Sequence, residues 1–352
     1  MTTTTDAALA QLSLDAYSNV PVTLPTGFTP LDATSLPITL GAGESFSGGI
    51  YRNANAAALT TEATLDGKDS LVVAFRGSDD TTDSQHDLQN INADYPLFDS
   101  LIKAVDTAAA SGAYQQVVVT GHSLGGSFAQ LYMQAHPDQP GGLTYHADTF
   151  GSAGAVLPPG GDARLTNFVI ADDPAVFLGA HRAEIGEVLR ADDTLADLAA
   201  QRAAEEFPGL TKQQALDSLS SLTVNYENRG DQIILPGHNP DLSPAADVAS
   251  LSKLDPGQHA PELYASAVAT AAATPGHEIL VPTAPQDNDG MAFLRTVYNS
   301  DQHDPQAAEA VLHQVLQGWA QDLGDGAQAG LNDAFTSIRD GLDGIGHDLN
   351  II

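Results

Sequence analysis

Gln116-Val117-Val118-Val119-Thr120-Gly121-His122-Ser123-Leu124-Gly125-Gly126-Ser127-Phe128-Ala129-Gln130-Leu131-Tyr132 occupies the middle third of the chain. A β-branched apolar run stops at Gly121, and small then apolar residues follow, which reads as strand, sharp turn, helix. In that setting Gly121-His122-Ser123-Leu124-Gly125 has the form of a nucleophile elbow. The serine of such a turn is held in a strained backbone conformation while the chain folds back tightly on both sides. Side chains two residues before and after would collide, so both positions need Gly. The helix that begins at the serine aims its free N–H groups and positive dipole end at the place where an oxyanion forms. Gly-x-Ser-x-Gly alone arises by chance roughly a few tenths of a time in a chain this rich in Gly. The flanking strand and helix give the pattern its weight.

Outward from the elbow, the 352 residues are 42% hydrophobic, enough for a substantial core. No Pro/Gly/Ser-rich linker or long sequence repeat divides them, so one domain over 1–352 is expected. No apolar run of about eighteen residues occurs, and no transmembrane segment is expected. The start, Met1-Thr2-Thr3-Thr4-Thr5-Asp6, lacks the basic and apolar parts of a signal peptide. An extracellular location reached without such a signal is expected ahead of a cytoplasmic one, and Asp348-Leu349-Asn350-Ile351-Ile352 would suit an uncleaved export signal. With 45 acidic and 13 basic residues, the net charge is −32. Such a surface repels nucleic acid and anionic membranes, so nucleic acid is not an expected partner. The same acidity suits high salt or a calcium-rich exterior. The absence of Cys removes disulfides and thiol catalysis.

Along the chain, 6–17 carries Leu9, Leu12 and Tyr17 at helical spacing behind an Asp that can cap. Residues 20–43 read as irregular, and 47–59 and 69–75 as strands, the second fully buried by its continuous apolar run. Residues 79–94 read as an acidic loop and 95–110 as a helix. Strands follow at 143–150 and 165–171, with a bent strand or hairpin at 222–235. Helices are expected at 261–274, 291–298, 305–323 and 334–342. Alternation of strands and helices, with Gly, Ser and Asp signals at strand ends, argues an α/β fold around a mostly parallel sheet. Its core covers about 45–265, with a helical insertion at about 177–221 and a helical C-terminal extension at about 266–352.

A serine hydroxyl is a weak nucleophile and needs a base, an acid to hold that base, and donors for the oxyanion. Around such an elbow the acid and then the histidine follow the serine along the chain. Asp173, at the end of strand 165–171 and held by Pro174, is the first candidate acid; Asp231 in Asn228-Arg229-Gly230-Asp231 is the alternative. Asp172 lies beside Asp173, and only one of the two can face inward. Of the seven histidines after Asp173, His259 stands in a loop just before a Pro-initiated helix. His238 and His277, each after Pro-Gly in a loop, are alternatives, and His313 sits in a helical run. The Leu124 N–H belongs to the elbow's oxyanion hole, and Ser78 of Arg76-Gly77-Ser78 follows an earlier strand where a second donor is needed.

Val73-Ala74-Phe75-Arg76-Gly77-Ser78, Gly121-His122-Ser123-Leu124-Gly125-Gly126, Thr149-Phe150-Gly151-Ser152, Asp172-Asp173-Pro174 and His259-Ala260-Pro261-Glu262-Leu263-Tyr264 occur in that order. Together they resemble the class 3 (triacylglycerol) lipase family of α/β-hydrolases and, more loosely, bacterial lipases exported by type I systems. The resemblance implies Ser123, Asp173 and His259 as catalytic triad and Ser78 as oxyanion-hole residue. It covers about 50–265. Two departures matter: Ala175 stands where the family usually has Val, and the insertion after residue 177 is unusual, which keeps Asp231 open as the acid. Gly344-Ile345-Gly346-His347-Asp348 resembles part of a calcium-binding nonapeptide repeat, but one copy cannot stack into a β-roll.

The expected activity is serine-dependent hydrolysis of a carboxylic ester through an acyl-enzyme, with triacylglycerol or a related lipid as substrate. A polyester depolymerase or a phospholipase on the same fold is the alternative, as is a catalytically silent binding protein on the hydrolase scaffold. A peptidase or acyltransferase would use the same triad. No cofactor is expected for the chemistry, and a structural calcium is compatible with the acidic loops. Asp79, Asp80, Asp83 and Asp87 lie where this family carries a lid, and Leu88, Ile91, Tyr95, Leu97 and Phe98 would give that lid an apolar underside or else be plain core. Such a lid would suit a lipid–water interface.

Overall fold

The computed structural model describes residues 2–18, 22–78, 91–139, 142–158, 160–171, 211–237, 256–276 and 278–281, with isolated positions between 173 and 204. Ten strands form one sheet: β1 (Thr29–Pro30), β2 (Glu44–Ser47), β3 (Ile50–Asn53), β4 (Ala56–Leu65), β5 (Lys68–Phe75), β6 (Gln116–His122), β7 (Thr144–Phe150), β8 (Leu165–Ile170), β9 (Asp231–Leu235) and β10 (Ile279–Val281). Their order is β10-β9-β8-β7-β6-β5-β4-β3-β2, with β1 paired to β4. The five strands β5 to β9 are parallel, and antiparallel strands extend the sheet on both sides. The five helices are α1 (Thr4–Asp15), α2 (Asp99–Ala110), α3 (Leu124–Ala135), α4 (Lys212–Ser220) and α5 (Pro261–Ala273) among the described residues. The fold is α/β.

Strand alternation sorts the core into two layers, because successive side chains leave opposite faces of a sheet. Leu71, Val73 and Phe75 of β5 and Val117 and Val119 of β6 pack with Leu101 and Val105 of α2 and Phe128 and Tyr132 of α3. Val72, Ala74 and Val118 point the other way, onto Leu9 and Leu12 of α1 and Tyr264 and Val268 of α5. Helices thus cover both faces, which is why β5 and β6 hold continuous apolar runs at 71–75 and 117–119 rather than alternating.

Several boundaries differ from the sequence reading, each for a local reason. The run 47–59 is no single strand: turns at Gly48-Gly49 and Ala54 divide it into the end of β2, β3 and the start of β4. The helix expected at 95–110 begins as a 3₁₀ turn, Tyr95–Phe98, with Pro96 at its start, and becomes α2 at Asp99. Of 222–235 only β9 is strand; Glu227 instead bridges Ala155, and Asn228 donates to the Ser152 carbonyl. Asp6 is not the cap of α1 but its third residue: Thr3 caps, and the two side chains bond each other's backbone N–H. Ile91 and Phe98 are buried core beside α3, and Tyr95 and Leu97 pack against the same layer, so these four are core and not the underside of a lid. The acidic stretch 79–90, most of the insertion, and the helices expected beyond 281 lie outside the described residues, as does the nonapeptide-like segment. Among the described residues no helix is long and apolar enough to cross a membrane.

Candidate active site

β6 delivers Ser123 to the C-terminal edge of the parallel strands, and α3 leaves at once. Ser123 has φ 57° and ψ −127°, a conformation L-residues rarely adopt, and its N–H donates to the Phe150 carbonyl at 2.9 Å. A methyl at Gly121 would collide with Gly125, and one at Gly125 with the Phe75 carbonyl, so the turn closes only with Gly at both places. Gly126 and Ser127 return their N–H groups to the Ser123 carbonyl, at 3.0 and 3.3 Å. The Leu124 N–H belongs to the first turn of α3, where backbone donors have no intrahelical acceptor.

His259 ends a 3₁₀ turn, Pro256–His259, immediately before α5. Its Nε2 lies 2.8 Å from Ser123 Oγ, and its Nδ1 lies 2.8 and 3.0 Å from the two carboxylate oxygens of Asp173. Asp173 follows β8 and is fully buried, its backbone turned back by a bond from its N–H to the Ile170 carbonyl. Burial alone would raise its pKa. The charge and hydrogen bond of His259, a 2.5 Å bond from the Tyr264 hydroxyl and the Ala175 N–H outweigh this and hold the carboxyl below its ordinary range. Tyr264, five residues after His259 and one turn into α5, also receives the Ile170 N–H. Gly151 makes room: with φ 57°, a Cβ there would stand 2.8 Å from the Tyr264 ring and 2.9 Å from Asp173.

The structure therefore brings Ser123, His259 and Asp173 into one line of hydrogen bonds and leaves Asp231 elsewhere. Asp231 opens β9 level with Thr166, at the start of β8, whereas Asp173 lies beyond its end. Four residues of strand between Thr166 and Ile170 put about 13 Å between the two levels. Ser78 follows β5, whose Phe75 is paired with Gly121, so its turn lies beside the elbow. Asp172, Pro174, His238, His277 and His313 are outside the described residues. Among the described residues no group of three or more His, Asp or Glu side chains is arranged to hold a metal ion, and the acidic loop that suggested calcium is outside them.

The sequence matches the Tle-like phospholipase domain over residues 8–232. The chain belongs to that family. The matched part of this Tle-like chain contains Ser78, Ser123 and Asp173 and ends before His259. Similar solved structures include the extracellular lipase LipA from Serratia marcescens, 23% identical over 42% of this chain, with a TM-score of 0.33. Another is the Lip2 lipase from Yarrowia lipolytica, 15% identical over 49% of this chain and 72% of that one, with a TM-score of 0.32. The Tle-like chain spans only 28% of the LipA chain. No curated protein matches it.

Two side chains beside Ser123, His259 and Asp173 escaped the reading of the residues. His122 was legible only as the variable position of the elbow, and Tyr17 only as one apolar site on a helix. Ser13 near the end of α1 and Tyr17 in the turn after it, where the sequence pattern extends the helix to 17, meet Thr120 and His122, two apart on the strand.

Proposed function

We propose that this chain hydrolyses carboxylic esters of lipids, with Ser123 as nucleophile, His259 as general base and Asp173 as the acid that orients it. The observation that carries this reading is the continuous hydrogen-bond line from Ser123 Oγ through the His259 ring to a buried Asp173, at a strained elbow. As Ser123 Oγ attacks the ester carbonyl carbon, His259 Nε2 takes its proton, and the buried Asp173 carboxylate stabilises the imidazolium. The oxyanion of the tetrahedral intermediate accepts from the Leu124 N–H and from Ser78. Collapse breaks the bond to the alcohol, which leaves with the proton from His259. Water, deprotonated by the same ring, then releases the acyl group as the acid and restores Ser123.

The family's description favours a glycerophospholipid as substrate. The five motifs shared with class 3 lipases support triacylglycerol as a second reading. Fatty-acid release from phosphatidylcholine vesicles and from a triacylglycerol emulsion distinguishes the two, measured with the native chain and with Ser123→Ala, His259→Ala, Asp173→Asn and Asp231→Asn. Ser123→Ala and His259→Ala should each lose about 10⁶-fold in rate and Asp173→Asn about 10⁴-fold, and Asp231→Asn should retain it. An active Asp173→Asn beside an inactive Asp231→Asn would move the acid to β9 and overturn the assignment.

A further inference from the structure

The end of β6 turns a polar row toward α1. Val118, Thr120 and His122 leave the same face of the strand, and α1 runs along it: Ser13 Oγ of α1 is 2.9 Å from Thr120 Oγ1, and in the turn just past α1 the Tyr17 hydroxyl is 2.9 Å from His122 Nδ1. Tyr17 stands two residues past the end of α1, in a turn where its N–H donates to the Leu14 carbonyl at 3.1 Å. His122 is buried, and its ring lies 4.8 Å from that of His259 and 5.4 Å from that of Tyr264. Burial, and then the neighbouring His259, press its pKa down to about 3, so it stays uncharged. Two imidazoles this close do not both become imidazolium, and the desolvated one yields the charge to its partner.

Tyr17 touches a second part of the site. A methyl on Gly77 would collide with the Tyr17 hydroxyl and stand 2.5 Å from the His122 carbonyl, so the turn that ends in Ser78 lies directly on this pair. α1 also packs against α5, the helix that begins just after His259. Nucleophile strand, base loop and oxyanion turn come from three distant parts of the sequence, and they converge on one phenol and one imidazole.

We propose that Tyr17 and His122 are positioning residues: the Tyr17 hydroxyl locks His122 as a neutral ring behind His259, and together they hold base, elbow and Ser78 turn in register. The proposal rests on Ser123, His259 and Asp173 as the reacting groups. Its contribution appears when His259 takes up a proton, because only then does the site need an uncharged and immobile neighbour. It therefore acts on kcat and leaves ground-state binding alone.

The test is steady-state ester hydrolysis by Tyr17→Phe, which deletes one hydroxyl and keeps the ring, with Ser123→Ala and thermal unfolding in parallel. The expected result is a fall in kcat of about tenfold, with KM within about twofold and the unfolding midpoint nearly unchanged. Should Tyr17→Phe not fold, His122→Gln, whose amide still offers the phenol a partner, is measured in the same way and with the same expectation. Native kcat in the folded variant, or a loss of rate that merely tracks the unfolded fraction, overturns the proposal while Ser123→Ala remains inactive. A fully active Ser123→Ala would instead remove the triad reading and this proposal with it.

Discussion

Ser123 keeps its unusual backbone only because Gly121 and Gly125 leave room around it, and this makes the elbow sensitive to single methyl groups. Gly121→Ala places a Cβ against the Gly125 backbone, which cannot move without shifting α3. It should destabilise the fold by about 2–4 kcal/mol, read as a lower midpoint in urea unfolding. Tyr264→Phe addresses Asp173. A buried hydrogen bond to a charged group contributes about 1.5–3 kcal/mol, and Asp173 would lose one. Because its folded pKa lies below the ordinary value, Asp173 adds stability above the unfolded pKa and loses it as pH falls through the folded one. Without the Tyr264 donor that folded value rises, so acidification should unfold the variant at a higher pH than the native chain, measured by thermal scans from neutral to acid. Much of this site was legible in the residues: Gly spacing marks Ser123, and a strand end before Pro marks Asp173. His259 needed the resemblance, since loop histidines look alike until the chain folds. The Tyr264, Tyr17 and His122 contacts join residues 91 to 105 positions apart and leave no local trace.

α1 is more than a cover on the sheet, because its first turn carries a charge into β7. Thr144, His146, Asp148 and Phe150 of β7 face α1, and Asp148 is buried there with His146 Nε2 at 2.9 Å. Burial and the Asp148 carboxylate push the Asp6 pKa up to about 7, against the Thr3 hydrogen bonds that lower it. A carboxyl that binds its proton more tightly when folded stabilises below its unfolded pKa, and that stability fades as pH rises toward the folded value. The native chain should therefore lose stability between about pH 4 and 7 at this site, and Asp6→Asn should flatten that slope and melt higher at pH 8 than its precursor. Melting temperatures across that range check it; an unchanged slope would remove Asp6 from the account. The same helix shows what sequence periodicity conveys. Leu9 and Leu12 announce a buried face, and the continuous apolar runs announce β5 and β6, because a strand covered on both sides has no solvent face to alternate with. β2 to β4 were harder: one apolar–polar stretch hides two turns, and only the sheet pairing separates them. β10 is three residues long and gave no pattern at all.

A net charge of −32 on 352 residues makes the folded chain repel itself, and mobile ions relieve this. Raising salt from about 0.01 M to about 0.5 M shortens the Debye length from about 30 Å to below 8 Å. The melting temperature should rise by several degrees over that range, and a flat response would remove self-repulsion from the account. The overall architecture was readable because each buried strand ends in Gly, Ser or Asp, and those ends all fall on one edge of a parallel sheet. That shared edge gathers the candidate site: the turns after β6 and β8 carry Ser123 and Asp173 to the loop that holds His259. The central claim concerns the oxygen at position 123, and an organophosphonate ester reports on it directly. After treatment of the full chain and peptide mass mapping, the label should be found on Ser123, and its uptake should vanish in His259→Ala. Labelling of a different residue, or undiminished uptake in Ser123→Ala, would contradict it.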